Sequence, residues 1–211
     1  VKLTVSQLYE KMFAHMGPQG WWPAENKIEI CLGAILVQNT AWANVDKSLE
    51  NLKPVTNFEG EKVAALSQLE LIELIRPSGF YQTKSRAIKE LFQLLATYDF
   101  DFTKLRQTFG PDLRKKLLAL HGIGEETADV LLLYVFDVPV FVADRYAQKL
   151  FAALGVVSKN YHHLQQQVSV ELTLAQAQEF HGLIDEFGKL YFKTKSFADS
   201  FLAGDQLESR L

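Results

Sequence analysis

The stretch Leu120 to Phe136, "LHGIGEETADVLLLYVF", sets Gly122 and Gly124 around one aliphatic residue, immediately before a strongly apolar helix expected to start at Thr127. Glycines at that spacing permit positive φ and remove the side chains that would keep a ligand away from the backbone. The unpaired N–H groups and positive dipole end of the following helix suit an anion. The geometry therefore suits a phosphate of DNA held by Gly122, Ile123, Gly124 and Thr127, with room for a monovalent cation bridging carbonyls and phosphate. Ile123 can tuck under the bend into the interhelical core. The plain alternative is a glycine-assisted corner between two helices. His121 could touch phosphate or simply sit in an exposed turn.

Other chemistry is limited by composition. A single cysteine, Cys31, rules out an internal disulfide and any cluster that needs several thiolates. His162-His163 lacks further ligands at metal spacing, so no zinc site is expected. His181 is read as a packing or capping residue.

The elements that must position these residues are helical. The 211-residue chain is 48% hydrophobic and 22% charged, as expected for one large domain or two small lobes. No apolar run approaches the length of a membrane span, and "VKLTVSQLYEKMF" has helical spacing with no signal-peptide core, so an intracellular protein is expected. Amphipathic periodicity runs through "KIEICLGAILVQNTAWANVDKSLENL", with Asn39 or Thr40 expected to cap a new helix. It continues through "VAALSQLELIELIRPSGFY", stops at Arg76-Pro77-Ser78-Gly79, and resumes in "TKSRAIKELFQLLATY". Further helices are expected at 112–120, 127–136, 144–154, 161–170 and 174–193. Only "VPVFVAD" alternates like a strand, and Pro139 discourages one. The expected class is all-α. The net charge of −3 argues weakly against a nucleic-acid protein, but residues 84–116 carry eight basic and four acidic side chains, a local excess of four positive charges. A basic face or ordinary solvated helix faces would both account for it.

The string "LxxLHGIGEETADVLLLYVF…VPVFVADRY" resembles the helix-hairpin-helix, loop and aspartate of the endonuclease III superfamily of DNA glycosylases. "CLGAILVQNTAW" is similar to that superfamily's early helix with its glutamine turn, and "IRPSGFYQTKSRAIKEL" to its glycine-aromatic helix pair. The likeness covers about 21–150 and, more faintly, 178–193. A closer resemblance, in "WWPAENKIEICLGAILVQNTAW", "RPSGFYQTKSRAI" and "FHGLIDEFGK", is to the bacterial 3-methyladenine DNA glycosylase III subfamily.

The resemblance implies two helical lobes with an active cleft between them: a six-helix barrel bearing the hairpin over 28–135, and a lobe built from both termini, 1–27 and 136–211. It implies that Asp144 is catalytic. A carboxylate at a helix N-terminus is held ionised by the dipole and can face a sugar developing positive charge, orienting or deprotonating the attacking water. A plain N-cap aspartate is the alternative. The base must first leave the stack, and Gln38 stands where the superfamily inserts a gap-filling residue, although a glutamine capping a helix end would look the same. Trp21, Trp22, Pro23 and Trp42 match the subfamily's aromatic pocket, and Lys189 matches its pocket lysine. Tryptophans are more often core anchors, and one of Trp21 and Trp22 is expected to point inward. Lys84 and Arg86 are expected to add phosphate contacts.

Two departures from the superfamily are informative. Relatives that cleave the strand attack the sugar with a hairpin lysine; here that place holds Glu126, and a carboxylate cannot form the imine. A monofunctional enzyme is therefore expected. The superfamily's C-terminal four-cysteine iron–sulfur pattern also has no counterpart in "KLYFKTKSFADSF", so no cluster is expected and Leu190, Phe192 and Phe197 should hold that lobe by packing. The expected partner is double-stranded DNA containing a damaged base, an alkylated purine of the 3-methyladenine type, bound by a monomer. The competing readings are a glycosylase for oxidised or mismatched bases, with or without lyase activity, and a non-enzymatic hairpin module that binds DNA.

Overall fold

The computed structural model describes residues 1–208. Its helices run in chain order, after a two-residue strand β1 (Lys2–Leu3), as α1 (Val5–Met16), α2 (Lys27–Leu36), α3 (Trp42–Thr56), α4 (Gly60–Ala65), α5 (Gln68–Ile75), α6 (Tyr81–Thr97), α7 (Phe102–Phe109), α8 (Leu113–Leu118), α9 (Glu125–Tyr134), α10 (Arg145–Ala153), α11 (Tyr161–Ser169) and α12 (Leu174–Lys189). A strand β2 (Gln206–Leu207) follows and pairs in parallel with β1, Lys2 opposite Gln206 and Leu3 opposite Leu207. The architecture is all-α apart from this short pair, which sequence periodicity gave no reason to expect: two residues carry no readable alternation. The chain forms two units, Ala24–Phe136 in one, Val1–Pro23 and the chain from Asp137 onward in the other.

The unit Ala24–Phe136 is organised around α2, which is apolar on nearly every side. Ile28, Cys31, Leu32, Ala34, Ile35 and Leu36 are all buried, and α3, α6 and α9 pack around them. A helix buried all round needs no polar face, so α2 departs from the amphipathic pattern expected of this stretch. Burial pushes the Cys31 thiol up to about 12, so it stays protonated and inert. A capping box of Ser67 and Glu70 starts α5, and a 3-10 turn over Arg76–Ser78 ends it before Gly79 at φ 68°. The helix after the Gln38-Asn39-Thr40 break does not use Asn39 or Thr40 as its cap. Ala41 is the N-cap of α3 and provides no side-chain bond; Asn39 is spent on a left-handed backbone (φ 53°), and the Thr40 hydroxyl accepts from Asn44 Nδ2 instead.

In the other unit, a capping box of Thr4 and Gln7 starts α1, and one of Thr173 and Gln176 starts α12. Phe141, Phe151 and Phe180 meet at centroid distances of 5.3–6.5 Å and form the core between α10, α12 and the chain before α10. At the end of α12 the expected anchors are only partly right. Phe192 and Phe197 do stack, 6.0 Å apart, but Leu190 is 38% exposed. The hub is Phe187, fully buried, with Tyr191, Phe192, Phe197 and Phe201 around it. The helix stops at Lys189 and a wider π turn over Leu190–Thr194 rotates Leu190 outward.

Candidate functional site

Asp144 lies where a buried extended segment becomes a helix. Val140, Phe141, Val142 and Ala143 are buried, and Phe141 N–H donates to Ser169 Oγ (2.8 Å). Gln148 Nε2 reaches back to Ala143 O (2.8 Å), so the entry to α10 is tied on both sides. Asp144 is the N-cap: Ala147 N–H donates to its Oδ1 at 2.8 Å. This is the plain capping role weighed above, and it also fixes a carboxylate that is only 13% exposed at the positive end of a helix. His181 Nε2 on α12 lies 3.5 Å from the other oxygen, Oδ2. His181 therefore meets a carboxylate as well as packing. No spacing in the sequence signals this pair, because the two residues are brought together only by α10 packing on α12.

The Trp21 ring lies edge-on to both Trp22 (5.4 Å) and His181 (5.8 Å). Both indoles are half-buried, and Trp21 is the one packed inward, against His181 and Gly182 on α12, while Pro23 is exposed. Trp21 occupies the space over Gly182, where any Cβ would strike Trp21 Cδ1. Lys189 pairs with Asp185 (2.6 Å) and Glu186 (3.0 Å), and lines a groove of about 500 Å³ with Met16, Gln19, Leu190 and Thr194. Burial pulls its ammonium down, but the bonds to Asp185 and Glu186 outweigh that and leave the pKa raised, so the charge is firmly held. The lining of this groove includes neither Trp21 nor Trp22.

In the unit Ala24–Phe136 the hairpin is α8, the bend 119–124 and α9. Gly122 has φ +71°, and a Cβ there would press on Ala87 Cβ (3.1 Å) and Thr83 Cγ2 (3.3 Å), so both its conformation and its surroundings call for glycine. Gly124 is different from the expectation. Its backbone is extended (φ −86°) and it serves as the N-cap, its carbonyl accepting from Ala128 N–H at 2.9 Å. The helix thus begins at Glu125, two residues before the expected start, and Thr127 lies inside its first turn, 6% exposed. Ile123 is buried under the bend, and His121 is half-buried with its N–H on Glu90 Oε1 (3.4 Å). Gln38 Nε2 donates to Gly122 O (3.3 Å), which ties the glutamine turn to the hairpin. A groove of about 420 Å³ has Gln38 and Asn39 on its lining together with Gly124, Glu125, Glu126 and Thr127. Trp42 is half-buried as the first residue of α3.

The basic stretch shrinks on folding. Lys84 is 3% exposed, and its ammonium donates to Leu36 O (2.7 Å) and Ser78 O (2.9 Å). It ties the end of α2 to the turn after α5 and cannot contact DNA, which corrects the expected phosphate role. Burial holds its pKa below the ordinary value, so the folded chain loses this proton before the unfolded one and stability gains with pH across that alkaline interval. Lys89 is spent on Ala64 O and Leu66 O, and Arg114 on Asp129. Arg86 stays exposed, paired with Glu90 at 3.2 Å. Phe80, just before α6, is 66% exposed and has a left-handed backbone (φ 45°). The glycine-aromatic pair in "PSGFY" was the only sequence signal for it.

The profile of the HhH-GPD superfamily of base excision DNA repair proteins matches residues 32–173. A Methanocaldococcus jannaschii protein whose name assigns it provisionally to the DNA repair glycosylases is 34% identical over 202 residues, 93% of this chain and 92% of that protein. Among solved structures, the chain is similar to the H. pylori 3-methyladenine DNA glycosylase bound to 1,N6-ethenoadenine: TM-score 0.73, 32% identity, covering 89% of this chain and 98% of that one. It also shares the fold of a trapped endonuclease III–DNA covalent intermediate (TM-score 0.73, 22% identity, 92% of this chain and 90% of that one).

Proposed function

The chain belongs to the HhH-GPD superfamily of base excision DNA repair proteins, and from that membership we propose that it is a monofunctional DNA N-glycosylase that releases cationic alkylated purines of the 3-methyladenine type. The observation that carries this reading is Asp144: a carboxylate fixed through Oδ1 at the start of α10 and mostly screened from water.

The chemistry follows from that placement. As the bond between the base and C1′ breaks, its electron pair goes to the base and the sugar becomes an oxocarbenium ion. An alkylated purine already carries positive charge, so the departing pair neutralises it and no strong acid is needed to protonate the leaving group. A fixed carboxylate near C1′ stabilises the sugar cation, and water adds to C1′ as its proton passes to Asp144. A half-buried indole face offers a cationic base about 0.5–2 kcal/mol, and Trp21 and Trp22, in the same unit as Asp144, supply such surfaces. Support for the substrate class comes from the 32% identity to the H. pylori 3-methyladenine enzyme. The exposed Phe80 ring and Arg86 suit stacking and phosphate contact.

Base release from a panel of duplexes tests the substrate. Methylated DNA should lose 3-methyladenine, and duplexes carrying thymine glycol or a mismatch should be spared; the opposite pattern would assign the chain to oxidised or mismatched bases. A separate experiment tests the water mechanism. With Glu126 in the hairpin position that a lysine occupies in strand-cleaving relatives, borohydride added during turnover should trap no covalent protein–DNA adduct. An adduct would show that another amine attacks the sugar.

A further inference from the structure

On the reading that Asp144 is the catalytic carboxylate, we infer that His181 is a positioning residue, and that it fixes Asp144 Oδ2 as the last link of a string Gly182–Trp21–His181–Asp144. Each link is visible within one unit. The N-cap bond from Ala147 engages only Oδ1. The terminal torsion of an aspartate is broad and roughly two-fold, so one bond leaves the carboxylate plane poorly defined. His181 Nε2 stands 3.5 Å from Oδ2, and the two side chains are similarly screened, at 12% and 13% exposed. A charge-assisted bond is shorter, about 2.7–2.9 Å, and catalytic bonds often draw in only once substrate is bound.

The imidazole is itself held. Trp21 meets it edge-on at 5.8 Å with the rings 75° apart. Trp21 can lie there because residue 182 has no side chain; any Cβ at Gly182 would strike the indole. The histidine and glycine that are adjacent on α12 therefore do two jobs: one accommodates the tryptophan and the other carries its orientation to the carboxylate. For His181 to donate, the neutral ring must carry its proton on Nε2. That tautomer is the one that supports an ionised Asp144 without cancelling its charge.

A purely structural histidine predicts a different response, so two substitutions separate the cases. His181→Phe keeps the ring and its edge contact with Trp21 but removes the donor. His181→Gln places an amide N–H close to where Nε2 lies. We expect His181→Phe to lower the single-turnover rate of base release by at least 10-fold with DNA affinity unchanged, and His181→Gln to restore most of it. Equal rates for His181→Phe and wild type would overturn the assignment, as would equal losses in both variants. The second readout needs no turnover: the imidazole 15N resonances of His181 should shift between wild type and Asp144→Asn. Unchanged resonances reject the pair even if base is released, whereas a wild-type protein that releases no base from any duplex rejects the glycosylase reading and leaves this measurement standing.

Discussion

Asp144→Asn is expected to keep DNA binding and slow single-turnover base release by roughly 10²–10³-fold. The substitution suits the question because asparagine is as good an N-cap as aspartate. Its side-chain oxygen can still accept from Ala147 N–H, so α10 keeps its start and the loss cannot be assigned to fraying. What disappears is one negative charge at a site only 13% exposed, where Coulombic stabilisation of a sugar cation is much larger than in water. Alanine would be a poorer test, since it also removes the cap, worth about 1 kcal/mol. Single-turnover kinetics and a binding isotherm on the same damaged duplex check the prediction. Undiminished release by the asparagine variant would remove Asp144 from the mechanism.

Arg114→Met should destabilise the unit Ala24–Phe136 by about 3–5 kcal/mol, the cost of breaking a buried ion pair from one side. Arg114 clamps the hairpin: Nε donates to Asp129 Oδ1 at 2.8 Å and Nη2 to Oδ2 at 3.1 Å, with Glu125 Oε1 a further 3.3 Å contact. The Asp129 side chain has no exposure, while that of Arg114 keeps 20%. These bonds hold the Arg114 pKa above its ordinary value, chiefly through Asp129. Without the guanidinium, the buried carboxyl would favour its neutral form, and a folded pKa above the unfolded one means stability that is lost as pH rises. The variant's deficit should therefore shrink in mild acid. The double substitution Arg114→Met, Asp129→Leu should recover much of the loss, because replacing both partners leaves no orphaned charge. Urea unfolding followed at neutral and mildly acid pH would check both claims; a deficit under 1 kcal/mol, or one independent of pH, would mean that the clamp contributes little.

Arg114, Lys84 and Lys89 show how far charge counting reaches. All three contribute to the local basic excess of 84–116, and charge counting assumes that lysine and arginine point to water. Folding puts Lys84 on two carbonyls, Lys89 on two more and Arg114 on a buried aspartate, so these three side chains hold helices together. An ion pair between α8 and α9 depends on how two helices pack, and no spacing rule encodes it.

What the sequence determined by itself was local. Helical periodicity set the all-α class, glycine marked the bend at 122, and an aspartate ahead of an amphipathic helix marked a cap, since backbone sterics and hydrogen bonding act over a few residues. Family motifs then attached roles to those positions. Only the tertiary structure decided that His181 lies beside Asp144, that Gly182 makes room for Trp21, that Thr127 and Lys84 are buried, and that α9 starts at Glu125. These depend on which faces of distant segments meet and on which polar groups lose water in doing so, and both are properties of the packed chain.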